Sequence, residues 1–228
     1  GILSVSGAAN YSNKTYEEIR ATGYLDYMTE LHAKKGLVYV AELPVSDLRF
    51  HIYLRNSVKT IAELKNKKIR VFPALKPAVE ALGGSPLVLP MGEIFTAMER
   101  GIIDGFAQGT MGIGKRYNGV AAGYIVPGMY RATFHVLANP KAWAKLPASL
   151  RADVTRYARG IGAAKFEKSW TKPLKISYGQ LAANKINPIR FSAAEQAKYM
   201  KMVQDAAWAS VEKKAPVEGA KLRSMLMK

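Results

Sequence analysis

The 228-residue sequence predicts an α/β protein with largely parallel sheets. Three observations carry that reading. Strand-like and helix-like patterns alternate through the first 140 residues, which is the signature of strand-helix crossovers. The remainder is helical in periodicity and composition. No internal repeat or low-complexity linker interrupts the order.

Gly1 to Asn10 is small and apolar without a period. Thr15 and Glu18 form a T-x-x-E capping box that opens an amphipathic helix over Tyr16 to Lys35, with Gly23 tolerated inside it and Gly36 closing it. Leu37 to Ala41 reads as a buried strand. Leu48 to Leu54 alternates Leu48, Phe50, Ile52 and Leu54 against Arg49, His51 and Tyr53, so its polar face is expected to border water or a cleft. Thr60 and Glu63 form a second capping box, and Lys67 to Phe72 alternates as a strand with Ile69 and Val71 on one face. A helix containing Ala78, Val79, Ala81 and Leu82 follows and stops at Gly83-Gly84. Leu87 to Leu89 is a buried-strand candidate. Met91 to Arg100 is a helix with Ile94, Phe95 and Met98 on one stripe, ending at Gly101, and Asp104-Gly105 turns the chain into a strand over Phe106 to Gln108.

The next glycine-rich stretch, GTMGIGKRYNG, has neither the G-x-G-x-x-G spacing nor the Gly-Lys-Ser/Thr of a phosphate loop; it reads as a loop leading into a helix start. Tyr130 to Ala138 alternates as another strand. Asn139-Pro140 caps a short helix containing Trp143, and Leu146-Pro147 opens a long one that Pro173 must kink or end. Ile186 to Phe191 is a short strand. Ser192 and Glu195 make a third capping box for a helix to about Lys214, and Pro216 separates a last basic helix.

Composition narrows the function. The chain is 49% hydrophobic with no cysteine, so it is globular and has no disulfide, zinc-thiolate site or cysteine nucleophile. No apolar run approaches the ~20 residues of a membrane span. No signal peptide stands at the start, as expected of a cytoplasmic chain, a mature one or one missing its beginning. Net charge is +17, and it is uneven: residues 139–228 hold 18 Lys and Arg against 6 Asp and Glu, residues 1–138 hold 16 against 11. Such a balance suits nucleic acid, an anionic surface or an acidic partner, or it is a solvated helix face. The aromatics of the C-terminal part (Trp143, Phe166, Trp170, Tyr178, Tyr199, Trp208) stand singly in helical periodicity, as core anchors do, rather than as stacking platforms for bases.

Catalytic patterns are not assembled. His32, His51 and His135 lie in separate elements with no H-E-x-x-H context, and no G-x-S-x-G elbow occurs. Glu93 and Asp104 are near enough in sequence to act as an acid/base pair, but a helix start and a turn account for them. What the chain does offer is arginine on strands: Arg49, Arg70 and Arg131. A guanidinium fork holds a carboxylate through two parallel hydrogen bonds, and a strand fixes it well; a structural ion pair or a snorkelling side chain is the other reading.

The run from Leu64 to Val71 and the helix and turn from Gly92 to Gly105 (GEIFTAMERGIIDG) resemble the two characteristic motifs of the solute-binding proteins of TRAP transporters, the DctP type. The resemblance covers about Tyr11 to the C-terminus and is strongest over 59–108 and 136–150. It implies a two-domain periplasmic-binding-protein-like fold with a long domain-spanning helix, divided as 1–48, 49–133 and 134–228, the last segment returning to the first domain. It also implies that several strand-helix units precede the point where this sequence begins, so the first domain is expected to be incomplete. By that resemblance Arg70 grips a ligand carboxylate, Arg49 assists, Gln108 touches the ligand, and Tyr130 and Phe134, with Arg131 beside them, line the cleft. Ala107 stands where many members have a glutamate that helps hold a cation, so no metal and no cofactor is expected. The implied role is capture of a small organic acid in the periplasm by a monomer and delivery to a TRAP membrane permease, without nucleic acid. A basic nucleic-acid or anionic-surface binder, or a hydrolase or lyase on a binding-protein fold, are the alternatives.

Overall fold

The structure, a computed structural model, describes residues 5–227, and the chain forms two compact units. Of the described residues, the first comprises 5–47, 132–171 and 211–227; the second comprises 48–131 and 172–210. The sequence reading kept 134–228 together, whereas its stretch 172–210 packs with the second unit.

In chain order the elements are α1 (Tyr16–Ala21), α2 (Tyr24–Ala33), β1 (Val38–Leu54), β2 (Lys68–Arg70), α3 (Lys76–Ala81), β3 (Ser85–Leu87), α4 (Ile94–Glu99), β4 (Gly105–Gly109), α5 (Ile113–Arg116), β5 (Gly123–Val126), β6 (Tyr130–Ala138), α6 (Pro140–Ala144), α7 (Ala148–Tyr157), α8 (Ala163–Ser169), α9 (Thr171–Ala183), β7 (Asn187–Arg190), α10 (Ala193–Lys214) and α11 (Pro216–Leu226). The strands run β3-β2-β4-β1-β5-β7, with β6 on β1. Pairing is mixed. β2 is parallel to β3 and β4, and β5 to β7, but the 17-residue β1 is antiparallel to both β4 and β5. The expectation of largely parallel sheets fails there because 37–41 and 48–54 are one continuous strand.

In the second unit one face of the sheet buries Tyr53, Phe106 and Tyr124 under Ile94, Met98, Tyr117 and Leu181. Tyr53 stacks on Phe106 at 5.1 Å between centroids, and Tyr117 closes on Phe106 at 4.4 Å. The predicted polar face of Leu48–Leu54 is therefore mostly core, with His51 and Tyr53 buried. The short β3 is not buried: Leu87 and Val88 are exposed. In α4 the inward residues are Ile94, Ala97 and Met98, while Phe95 points out.

In the first unit Tyr24, Met28, Leu31, Tyr39, Leu222 and Leu226 are buried. The capping box of α1 forms as predicted, Thr15 accepting from Glu18 N at 3.2 Å and Glu18 from Thr15 N at 2.6 Å. Gly23 does not sit inside a helix: at φ +77° it starts α2, and the expected single helix is two. Arg159 ties α2 to β1, donating to Val40 O, Asp26 Oδ1 and Thr29 Oγ1 at 2.6–2.9 Å.

The long helical stretch is broken twice, and not at Pro173. A π-helical segment at Ala158–Gly162 contains Gly160 outside helical geometry, and α8 ends before Trp170. Pro173 lies in the first turn of α9, where an N–H would have no partner, so the proline costs nothing there. The third capping box is half made. Ser192 accepts from Glu195 N, but the Glu195 carboxylate instead accepts Ile61 N at 2.9 Å, tying α10 to the start of the Ile61–Leu64 turn. Of the predicted aromatic anchors, Tyr199 and Trp208 are buried, while Trp143, Phe166, Trp170 and Tyr178 are half-buried.

Candidate functional site

Arg70 is the last residue of β2, opposite Leu87 on β3 and Phe106 on β4. Paired residues share a sheet face and alternate residues along a strand return to it. Gln108, two residues beyond Phe106 and opposite His51, is therefore on the face of Arg70, as is Arg49 by alternation from His51. Because β2 and β4 are parallel, Arg70 and Gln108 both stand at carboxyl ends of strands, where open α/β sheets characteristically take ligands.

The guanidinium is held but not neutralised. Arg70 is 3% exposed; its Nε donates to Leu89 O at 2.9 Å, and its Cζ lies 4.3 Å from the Phe72 ring centroid. Nη1 is buried and has no hydrogen-bond partner among the described residues, and no carboxylate among them forms an ion pair with Arg70. Burial pushes its pKa below the ordinary arginine value, the mark of a cation deprived of water without a countercharge. Gln108 is 8% exposed, and its Oε1 is likewise buried without a partner.

Beneath Gln108 a hydrogen-bonded set fixes the strands. His51 Nδ1 donates to Ile125 O at 2.8 Å, which leaves Nε2 as the acceptor, 3.3 Å from Tyr178 Oη. Burial, outweighing the Ile125 bond, lowers the His51 pKa to about 4, so the ring is neutral at pH 7. Thr110 Oγ1 donates to Arg49 O at 3.2 Å, and Tyr178 Oη lies 3.3 Å from that hydroxyl. Gly128 approaches so closely that a Cβ there would lie 2.5 Å from Arg49 Cβ, which requires glycine. An aromatic series continues from Arg70: Phe72 to Phe50 at 6.2 Å, and Phe50 to Tyr130 at 5.3 Å.

The structure thus places Arg70, Arg49, Gln108, Tyr130 and Arg131 in the second unit, the last two as the half-buried first residues of β6. Phe134 belongs to the first unit, where it stacks on Trp170 at 5.8 Å and meets Phe166 edge-on at 5.6 Å. Sequence reasoning missed Phe50, Phe72, Thr110 and Tyr178. Strand alternation already set His51 on the face of Arg49, but nothing in the sequence tied Tyr178 to it.

The Asp-Gly motif is structural. Asp104 Oδ2 accepts from Lys68 N at 2.7 Å, and its N–H donates to Lys68 O at 2.8 Å, so the carboxylate extends the β2–β4 ladder rather than pairing with Glu93. A Cβ on Gly105 would lie 2.4 Å from Tyr53 O. A cavity of about 560 Å³ lined by Arg55, Glu99, Asn118 and Lys185, among others, includes none of the six expected residues. Among the described residues no group of three His, Asp or Glu could hold a metal ion. Chemically, then, the Arg70 face is suited to hold an anion.

The chain belongs to the bacterial extracellular solute-binding protein family 7 (DctP), whose model matches residues 12–214. A curated relative, the monocarboxylate 2-oxoacid-binding periplasmic protein of Nostoc sp., is 31% identical over 103 residues, 42% of this chain and 27% of that protein, so the match spans little more than a quarter of the relative's length. Among solved structures, the TRAP periplasmic solute binding protein of Desulfovibrio salexigens with bound orotic acid superposes with a TM-score of 0.80 at 18% identity, over 99% of this chain and 75% of that one. The periplasmic ectoine-binding protein of the TeaABC TRAP transporter of Halomonas elongata gives 0.78 at 18%, over 99% and 76%. A TRAP periplasmic solute binding protein of Xanthobacter autotrophicus with bound β-D-galacturonate gives 0.74 at 19%, over 95% and 70%. At such identities the likeness shows the fold, a mixed α/β sheet with helices like that of the TRAP solute-binding proteins.

Proposed function

We propose that this chain belongs to an extracytoplasmic binding protein that captures a small organic carboxylate in the periplasm and delivers it to a TRAP-type permease. The observation that carries the reading is Arg70, a buried cation with an unused N–H and no countercharge among the described residues, standing at the carboxyl end of a strand. Family membership supports it, as do the acids named for relatives: a 2-oxoacid, orotic acid and galacturonate. No helix among the described residues is long and apolar enough to cross a membrane.

In this reading Arg70 clamps the carboxylate, Arg49 assists, and Gln108 bonds the ligand's remaining polar groups. Tyr130 and Arg131 complete the lining within the second unit, and Phe134, packed with Phe166 and Trp170 in the first unit, is not part of it. The protein acts as a monomer and needs neither metal nor nucleic acid. A thermal-shift screen against C4-dicarboxylates, 2-oxo acids, hydroxy acids, sugar acids and aromatic acids tests it. A ligand at 100 times its Kd stabilises by ~2.7 kcal/mol, a shift of several degrees. A hit that Arg70→Ala weakens by roughly 30-fold or more supports the clamp. A hit that Arg70→Ala leaves unchanged overturns it.

A further inference from the structure

We infer that Asn118 is a site of spontaneous covalent modification, converting to aspartate and isoaspartate as the protein ages, ahead of every other asparagine in the chain. Asn118-Gly119 is the only Asn-Gly pair in the sequence. The two form the centre of a turn, closed by Val120 N donating to Tyr117 O at 3.2 Å, with Gly119 at φ +81°. Both are exposed, and among the described residues no hydrogen bond holds the Asn118 amide or the Gly119 N–H. Glycine leaves the nitrogen after the asparagine unshielded by a side chain and lets the peptide rotate. A Cβ on Gly119 would meet nothing within 4 Å, so the turn has room for that rotation.

The reaction takes only water as co-reactant. Gly119 N, losing its proton, attacks Asn118 Cγ. The N–Cγ bond forms, the Cγ–Nδ2 bond breaks, and the side-chain nitrogen leaves as ammonia with that proton, giving a five-membered succinimide. Water then opens the ring. Attack at the side-chain carbonyl gives aspartate, and attack at the main-chain carbonyl gives isoaspartate; nothing is oxidised or reduced. The other asparagines are less free to react. Asn139 and Asn187 precede prolines, whose nitrogen has no proton to lose. Asn10 is buried, and Asn184 Nδ2 donates to Gln180 O at 2.8 Å. Asn13 and Asn66 precede lysines, whose side chains crowd the attacking nitrogen; Asn56, exposed and followed by the smaller Ser57, is the nearest competitor. The product also changes its surroundings. Asn118 lines the cavity of about 560 Å³ together with Arg55, Lys185 and Glu99. Neither cation makes an ion pair among the described residues, and Arg55 Nε is buried without a partner. Conversion sets a second carboxylate on that lining and lowers the net charge of +17 by one.

The test incubates the folded wild-type chain and Gly119→Ala for weeks in mildly alkaline buffer at physiological temperature and follows their tryptic peptides by mass spectrometry. The peptide from Tyr117 to Arg131 contains no other Asn or Gln, so a gain of about 1 Da in it reports Asn118 alone. In the wild type that peptide should be modified first, roughly tenfold faster than the Asn56 peptide. It should resolve into an aspartate form and an isoaspartate form, the latter accepting a methyl group from a protein isoaspartyl methyltransferase. An acidic species should appear in step on isoelectric focusing. Gly119→Ala should slow the gain roughly tenfold. The inference is overturned if no modification appears at Asn118, or if Asn56 or any other asparagine reacts as fast. A product free of isoaspartate overturns the succinimide route, and so does a Gly119→Ala chain that reacts at the wild-type rate. The comparison among wild-type peptides decides the matter even where Gly119→Ala does not fold.

Discussion

Among the described residues each unit buries one acidic or basic side chain other than histidine, and the two are held differently. Glu42 in the first unit is fully buried, but its Oε2 accepts from Tyr24 at 2.9 Å and Tyr39 at 3.2 Å, and His135 Nε2 lies 3.3 Å away. Burial and the Glu42 charge both raise the two tyrosines' pKa values, which keeps them protonated as donors. Arg70 in the second unit has one bond to a carbonyl, an aromatic ring beneath it and, among the described residues, no anion. A buried charge ringed by groups from its own chain is part of the core. Each of the two keeps one buried polar atom without a partner among the described residues, Glu42 Oε1 and Arg70 Nη1, so what separates them is that Glu42 has two hydroxyls and an imidazole around its other oxygen whereas Arg70 has a single carbonyl and a ring.

The largest expected effect is on the Glu42 side. Glu42→Ala removes the common acceptor of Tyr24 and Tyr39 and should cost about 4 kcal/mol of unfolding free energy in urea titration. A loss below about 1 kcal/mol would mean that the cluster is not structural and would erase the contrast. Next is Gly105→Ala, at about 3 kcal/mol, because the added methyl meets the backbone oxygen of Tyr53, which cannot yield. That variant checks that the Asp-Gly motif serves the sheet rather than the ligand, so any folded fraction should retain its ligand affinity.

A smaller effect is pH-dependent. The His51 pKa is about 4 in the folded chain against an ordinary 6.5, so between those values the unfolded chain holds a proton that the folded chain does not. Stability contributed by keeping this ring neutral is complete above pH 6.5 and is lost as pH falls toward 4, at up to about 1.4 kcal/mol per pH unit. Melting temperatures from pH 7 to 4.5 should fall, and His51→Asn should flatten that slope. An unchanged slope would place the acid sensitivity elsewhere.

Much of the fold was legible because its signals are local. Capping boxes at Thr15 and Thr60, the Asn139 cap and the stop at Gly83 depend on residues within a turn of each other, and all form. Arg70 was legible as a charge where a strand would not ordinarily put one. Features set by distant residues were not. β5 went unread because Gly123–Val126 is four residues long and gains its burial from β1 and β7. The antiparallel pairing of β1 depends on strands fifty residues later. The carboxylate of Glu195 looked like half of a capping box and instead reaches Ile61, a choice no three-residue spacing can reveal. At the site, alternation supplied the shared face of Arg49 and His51, but Tyr178 arrives from a helix more than a hundred residues away.

The most direct measurement of the contrast is Arg70→Met, followed by urea unfolding without ligand and by titration with the best carboxylate from the screen. Unfolding free energy should stay within about 1 kcal/mol of wild type, since an apolar side chain of similar length relieves an uncompensated buried charge, while affinity should fall at least 30-fold. A variant that loses several kcal/mol of stability yet binds the carboxylate as wild type does would contradict the clamp, and would make Arg70 a core residue like Glu42.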